Sequence, residues 1–120
     1  ITSRYGVPHG CAVALTLGAI LEYNSHVTMD DCMDSRGPEH VLTAIEEVVR
    51  GLGCDTAEQA RNRLTELQRA INCPTRLGDV GIATQAEVQF IAEQVNTQRL
   101  ENNPRHMTLA AVTNVLQCLF

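Results

Sequence analysis

Apolar residues recur at three- and four-residue spacing in five segments of this chain, and period-two alternation is sustained nowhere. Positions i, i+3 and i+4 share one face of a helix, so this spacing asks for helices. It leaves no segment from which to build a sheet, and the predicted class is all-α. The helices are expected near residues 10–24, 38–51, 56–72, 85–97 and 108–118, with ends good to about two to four residues. The 120 residues suffice for one domain, 1–120, and are short for two.

Local signals punctuate the pattern. Residues 1–8 read as a loop or strand remnant, because Gly6 interrupts them and Pro8 disfavours helix at Val7. The segment Ala12, Val13, Ala14, Leu15, Leu17, Ala19, Ile20, Leu21 is apolar nearly all round, which predicts a buried helix rather than a surface one. Residues 25–37 are polar and read as a loop, after which Pro38 suits a first helical position. Val41, Leu42, Ile45, Val48, Val49 and Leu52 follow, and Gly51 and Gly53 stop the run. Asp55 with Glu58, or Thr56 with Gln59, offers a capping box for the next helix, which Pro74 ends. Leu77 to Ala83 reads as a turn, Thr84 and Glu87 as a further capping box, and Thr108 as the cap of the last helix.

Composition removes several classes of function. Aromatic residues are 3% of the chain and Trp is absent, so the core must be aliphatic. The net charge is −5, all nine basic residues are Arg, and no basic patch of the kind nucleic acids require is visible. Cysteines stand at 11, 32, 54, 73 and 118. The odd count without Cys-x-x-Cys spacing argues against a disulfide framework or zinc knuckle, and for reduced thiols in a cytoplasmic protein. No run reaches the roughly 18 apolar residues of a membrane span, and no segment reads as a signal peptide. Neither Gly-x-Gly-x-x-Gly nor Gly-x4-Gly-Lys-Ser/Thr occurs, so no nucleotide site is expected within these residues. The chain opens on Ile1 without a Met, which suggests a piece of a longer protein.

The segment with most chemical promise is Gly6-Val7-Pro8-His9-Gly10, at the mouth of the first long helix. Pro8 fixes the backbone entering the histidine, and Gly10 lets a backbone or ligand come close. A neutral imidazole directed from a helix start is a good ligand for Fe(II) or Zn(II). The alternative is a capping or core histidine beside a turn, since a metal site needs three or four ligands. His26, His40 and His106 form no helical two-histidine pair and read as solvated or hydrogen-bonded side chains. Asp30, Asp31 and Asp34 lack the spacing of a calcium loop and read as a solvated turn. Cys11, two residues after His9, reads as a packing residue for want of an identifiable base.

The run Gly6-Val7-Pro8-His9-Gly10-Cys11-Ala12-Val13-Ala14 resembles the Pro-His-Gly signature of the iron-containing alcohol dehydrogenases. Leu17 and Asn24 also match, as does Asn103-Pro104-Arg105 followed by Thr108, which resembles that family's closing loop and last helix. Val13 stands where the family usually has Asn, and Gly18 where it usually has Pro. The stretch Ala14-Leu15-Thr16-Leu17-Gly18 resembles the phosphonoacetaldehyde-reducing branch.

The resemblance implies the helical C-terminal domain of a dehydroquinate-synthase-like enzyme, joined to an N-terminal nucleotide-binding domain. It implies Fe(II) or Zn(II) on one Asp and three His, of which only the last maps here, to His9. It also implies NAD or NADP, a small alcohol or aldehyde substrate, and a homo-oligomer without nucleic acid or membrane. No catalytic or nucleotide-binding residue is expected within 1–120, and these residues alone are expected to be inactive. Two rivals stand beside this reading: a stand-alone helical interaction module, and a metal-dependent lyase on the same fold.

Overall fold

A computed structural model describes the backbone of all 120 residues and the side chains of all but Thr2, Ser3, Thr97 and Arg99. In chain order the helices are α1 (Thr2–Tyr5), α2 (His9–Asn24), α3 (Pro38–Gly51), α4 (Ala57–Ala70), α5 (Gln85–Glu93), α6 (Thr97–Leu100) and α7 (Leu109–Gln117), with a 3-10 turn at Leu77–Val80. Among the described residues, extended pairing is limited to one isolated antiparallel bridge between Cys32 and Arg105. The fold is all-α, and the five long helices fall where the apolar spacing puts them.

The ends of the helices follow from their caps. Gly37 and Pro38 open α3 as expected. Thr56 caps α4 through the Gln59 amide, while the Gln59 side chain accepts from the Asp55 N–H, so the two overlapping boxes are drawn into one start. Thr84 and Glu87 close a full capping box at α5, and Thr108 caps α7.

One expectation is corrected, and two helix ends are set within the expected margin of about two to four residues. Residues 2–5 form a single helical turn rather than a loop or strand, closed by Gly6 at φ 64°; one turn is too short to leave a periodic trace. α4 ends at Ala70 because Asn72 turns left-handed (φ 55°), and the Cys73 N–H bonds back to the Gln68 carbonyl at 2.8 Å. α5 ends at Glu93, and the Asn96 side chain caps α6 instead of letting α5 continue.

One core organises the domain. Leu15 and Ala19 of α2, Leu77 and Ile82 around the 3-10 turn, Val88, Ile91 and Ala92 of α5, and Val112, Val115 and Leu116 of α7 form a continuous buried cluster. α3 and α4 pack on the other side. Gly18 makes the α2–α4 contact close: a Cβ there would come within 3.1 Å of the Arg61 Cγ and 3.4 Å of its Cα. Arg61 then pairs with Glu22 at 2.7 Å and donates to the Cys118 carbonyl at 3.0 Å, tying α4 to α2 and to the end of α7. The expected all-round burial of α2 holds on one face only. Val13 and Leu17 are about half exposed, at 49% and 48%.

Candidate metal centre

α2 begins one residue earlier than its apolar run. Pro8 is its N-cap, at φ −53° and ψ 138°, and His9 is its first helical residue. Proline lacks the N–H that would go unpaired at a helix start and holds its φ near −65°, so the chain enters α2 along a set direction. Behind it, Val7 is buried and anchors the turn. His9 itself is exposed, so the reading of a core histidine is set aside. Around Gly10 an added Cβ would meet nothing within 4 Å, so the residue after His9 is also uncovered.

His9, Val13 and Leu17 follow one another at i, i+4 and i+8 and therefore share one face of α2. An exposed imidazole thus stands at the head of an exposed apolar strip. Among the described residues, no group of three or more His, Cys, Asp or Glu is arranged to hold a metal ion. The arrangement fits a group that takes one donor from this chain. An exposed imidazole can offer a nitrogen lone pair, one donor of the three or four that a metal site needs.

The other histidines do not converge on it. His26, His40 and His106 are exposed and lie in separate segments. Two open grooves, of about 650 Å³ beside α3 and about 760 Å³ between α3 and the start of α4, are lined without His9. The acidic loop is committed to structure. Asp31 accepts from the Thr28 amide (2.7 Å) and hydroxyl (3.0 Å) and from Arg105 Nε (2.7 Å). These bonds, the Thr28 amide first and Arg105 next, hold its carboxyl at about 2, below its ordinary 3.8. Asp34 binds Arg36 through the amide and guanidinium, which holds it well below the usual carboxylate range.

The structure brings together the two ends of the sequence resemblance. Asn24, buried at the last turn of α2, exchanges two amide hydrogen bonds with Asn103, at 2.9 and 2.8 Å. Arg105 lies over the Tyr23 ring at 4.3 Å and donates to the Tyr23 carbonyl at 2.8 Å, while the Tyr23 hydroxyl donates to the His106 carbonyl at 2.6 Å. Sequence reading matched Asn24 and Asn103-Pro104-Arg105 to one family separately. Their pairing across 79 positions left no local signal. It fixes the far end of α2, and hence the axis along which His9 is presented.

Comparison with known proteins agrees with this assembly. Across residues 1–120 the chain matches the C-terminal region of the Fe-containing alcohol dehydrogenase family, and it belongs to that family. It is similar to the phosphonoacetaldehyde reductase of Streptomyces viridochromogenes, with 32% identity over 117 residues, 97% of this chain. The chain spans 28% of the length of that relative. No solved structure matches.

Proposed function

We propose that the chain is the metal-binding helical domain of a longer NAD(P)-linked oxidoreductase, with His9 as one ligand of its divalent metal, Fe(II) or Zn(II). The reaction is the interconversion of a small alcohol and its aldehyde or ketone by hydride transfer. The observation that carries the reading is the exposed His9 at the head of α2, in a chain that belongs to this family over its whole length. When bound, such a metal polarises the substrate oxygen as a Lewis acid.

The chain's own residues do the rest of the work assigned to this domain. Pro8 sets the direction of the imidazole, Gly10 leaves room for the neighbouring donors, and Val13 and Leu17 supply an apolar wall beside it. An N-terminal nucleotide-binding domain preceding residue 1 supplies the other ligands and the cofactor site, and faces this wall. The parent is a homo-oligomeric cytoplasmic enzyme, a placement supported by five free thiols. No helix among the described residues is long and apolar enough to cross a membrane.

A second reading narrows the substrate to a phosphonate-bearing aldehyde. The identity with a relative named phosphonoacetaldehyde reductase favours it, as does the Ala14–Gly18 stretch.

The test is steady-state kinetics and metal analysis on the full-length enzyme and its His9→Ala variant. Losing a ligand should lower metal occupancy and reduce kcat/KM about 100-fold, equivalent to about 2.7 kcal/mol of transition-state stabilisation. Full occupancy with normal turnover in the variant would overturn the ligand assignment. The 120 residues alone should bind Zn(II) weakly in calorimetry, because one imidazole is not a site. Sub-micromolar affinity that disappears in His9→Ala would favour a self-contained metalloprotein instead.

A further inference from the structure

α2 is held at its middle. Leu15 and Ala19 sit in the core, Gly18 packs on Arg61, and the Gln68 side chain donates to the Ala14 carbonyl. At a rise of about 1.5 Å per residue, His9 stands about 9 Å before Leu15 and Asn24 about 8 Å past Ala19. A stiff rod held near its centre moves its two ends by similar distances. What fixes the tail of α2 therefore also steadies its head, where His9 is the first helical residue.

The last turn of α2 carries no basic residue of its own. Arg105, 82 positions further along the chain, supplies one. Its Nη1 donates to the Tyr23 carbonyl at 2.8 Å, its Cζ lies 4.3 Å from the centroid of the Tyr23 ring, and its Nε donates to Asp31 at 2.7 Å. A cation at the C-terminal end of a helix meets the partial negative charge of the free carbonyls there. The flat guanidinium fork can lie on a ring and bond two acceptors at once, which the point charge of Lys cannot do. Two backbone bonds seat the segment that bears Arg105: Met33 N–H donates to the Pro104 carbonyl at 2.8 Å, and His106 N–H to the Asp31 carbonyl at 2.7 Å. Arg105 thus joins the backbone of α2 to the 28–31 turn that Asp31 organises through Thr28.

From this geometry we infer that Arg105 is a positioning residue for the His9 imidazole, acting through the axis of α2. The inference rests on the reading of His9 as a metal ligand. Arg105 touches neither the metal nor the substrate in this scheme. Slack of about 1 Å at the tail would reach the head as about 1 Å. A site group must be held to within about 0.5 Å, and a displacement of about 1 Å can cost about 100-fold in rate.

The experiment compares the full-length wild type with Arg105→Met, Arg105→Lys and the milder Asp31→Asn, at a temperature where each is folded by circular dichroism. The first readout is the side-chain NMR signal of His9 in the metal-free protein, assigned by its absence in His9→Ala. The second is Zn(II) affinity in competition with a chelator. Arg105→Met should shift or broaden the His9 signal and weaken Zn(II) binding about 10-fold, the lower end of what loss of a supporting residue costs a metal site. Arg105→Lys should recover only part of either, and Asp31→Asn should show a smaller change of the same sign. In steady-state kinetics kcat should fall about 10-fold in Arg105→Met, with KM for the nicotinamide cofactor unchanged. A lowered melting temperature with the His9 signal and Zn(II) affinity both unchanged makes Arg105 purely structural and overturns the inference. Should Arg105→Met not fold, Asp31→Asn decides by the same two readouts. Zn(II) binding that survives His9→Ala overturns the metal reading and this inference with it. An unchanged His9 signal in the Arg105 variants, with Zn(II) binding still lost in His9→Ala, overturns this inference alone.

Discussion

The two faces of α2 answer to different demands. On one, Leu15, Gly18 and Ala19 are buried against the core and α4. On the other, His9 stands free at the head of the half-exposed Val13 and Leu17. Both faces are apolar, so their composition does not tell them apart; what lies over them does. The buried face stabilises this domain by itself. The exposed face contributes little to its stability, and under the proposed function it serves the cleft with the preceding domain. Residues that hold the fold and residues that the proposed function assigns to the cleft are thus separated by half a turn of one helix.

Mutations should separate the faces cleanly. The largest effect belongs to the buried one. Leu15→Ala empties a site that is 3% exposed and should cost about 2–5 kcal/mol in chemical denaturation. A loss below about 0.5 kcal/mol would mean that the two faces are energetically alike and that the core does not depend on this position. On the opposite face, His9→Ala should show the reverse profile. The about 100-fold loss in kcat/KM comes with an unchanged melting temperature of the metal-free protein, since an exposed side chain at a helix start gives up little packing. A variant that melts early would move His9 to the structural side of the comparison.

Smaller effects belong to the lock at the far end of α2. Asn103→Ala leaves the amide of Asn24, only 8% exposed, without its partner. An unpaired buried amide costs about 1–3 kcal/mol, and denaturation of the variant reads it directly. Stability equal to that of the wild type would show that water replaces the pair and that this end of α2 is not locked.

The smallest effect is a pH dependence. The folded state holds Asp31 at about 2 against an ordinary 3.8, so folding favours its charged form. The contribution is fully present above pH 3.8 and is lost as the pH falls through about 2. Asp31→Asn should therefore be less stable than the wild type at neutral pH, with the difference narrowing as the pH drops across that window. A difference independent of pH would assign the effect to the shape of the Thr28–Arg105 network rather than to its charge.

Much of this molecule was open to reading before any coordinates. Helical class, five long helices, the caps at Thr84 and Thr108, and the Pro8-His9-Gly10 turn follow from spacing and from side chains acting within a few residues of themselves. Such effects are local, so sequence carries them. The short helices α1 and α6 escaped because four residues cannot establish a period.

What lay beyond sequence was pairing at a distance. Gly18 departed from the expected family residue without visible reason until Arg61 was found packed against it. Asn24 and Asn103 were two separate matches until the fold joined them. Residue order was enough for the long helices, most of their caps and the candidate imidazole at the mouth of α2, because each depends on neighbours along the chain. Long-range packing settled which face of α2 is covered, what lies opposite Gly18, and that His9 is left open. Those depend on where chain segments meet, which no local pattern of residues specifies.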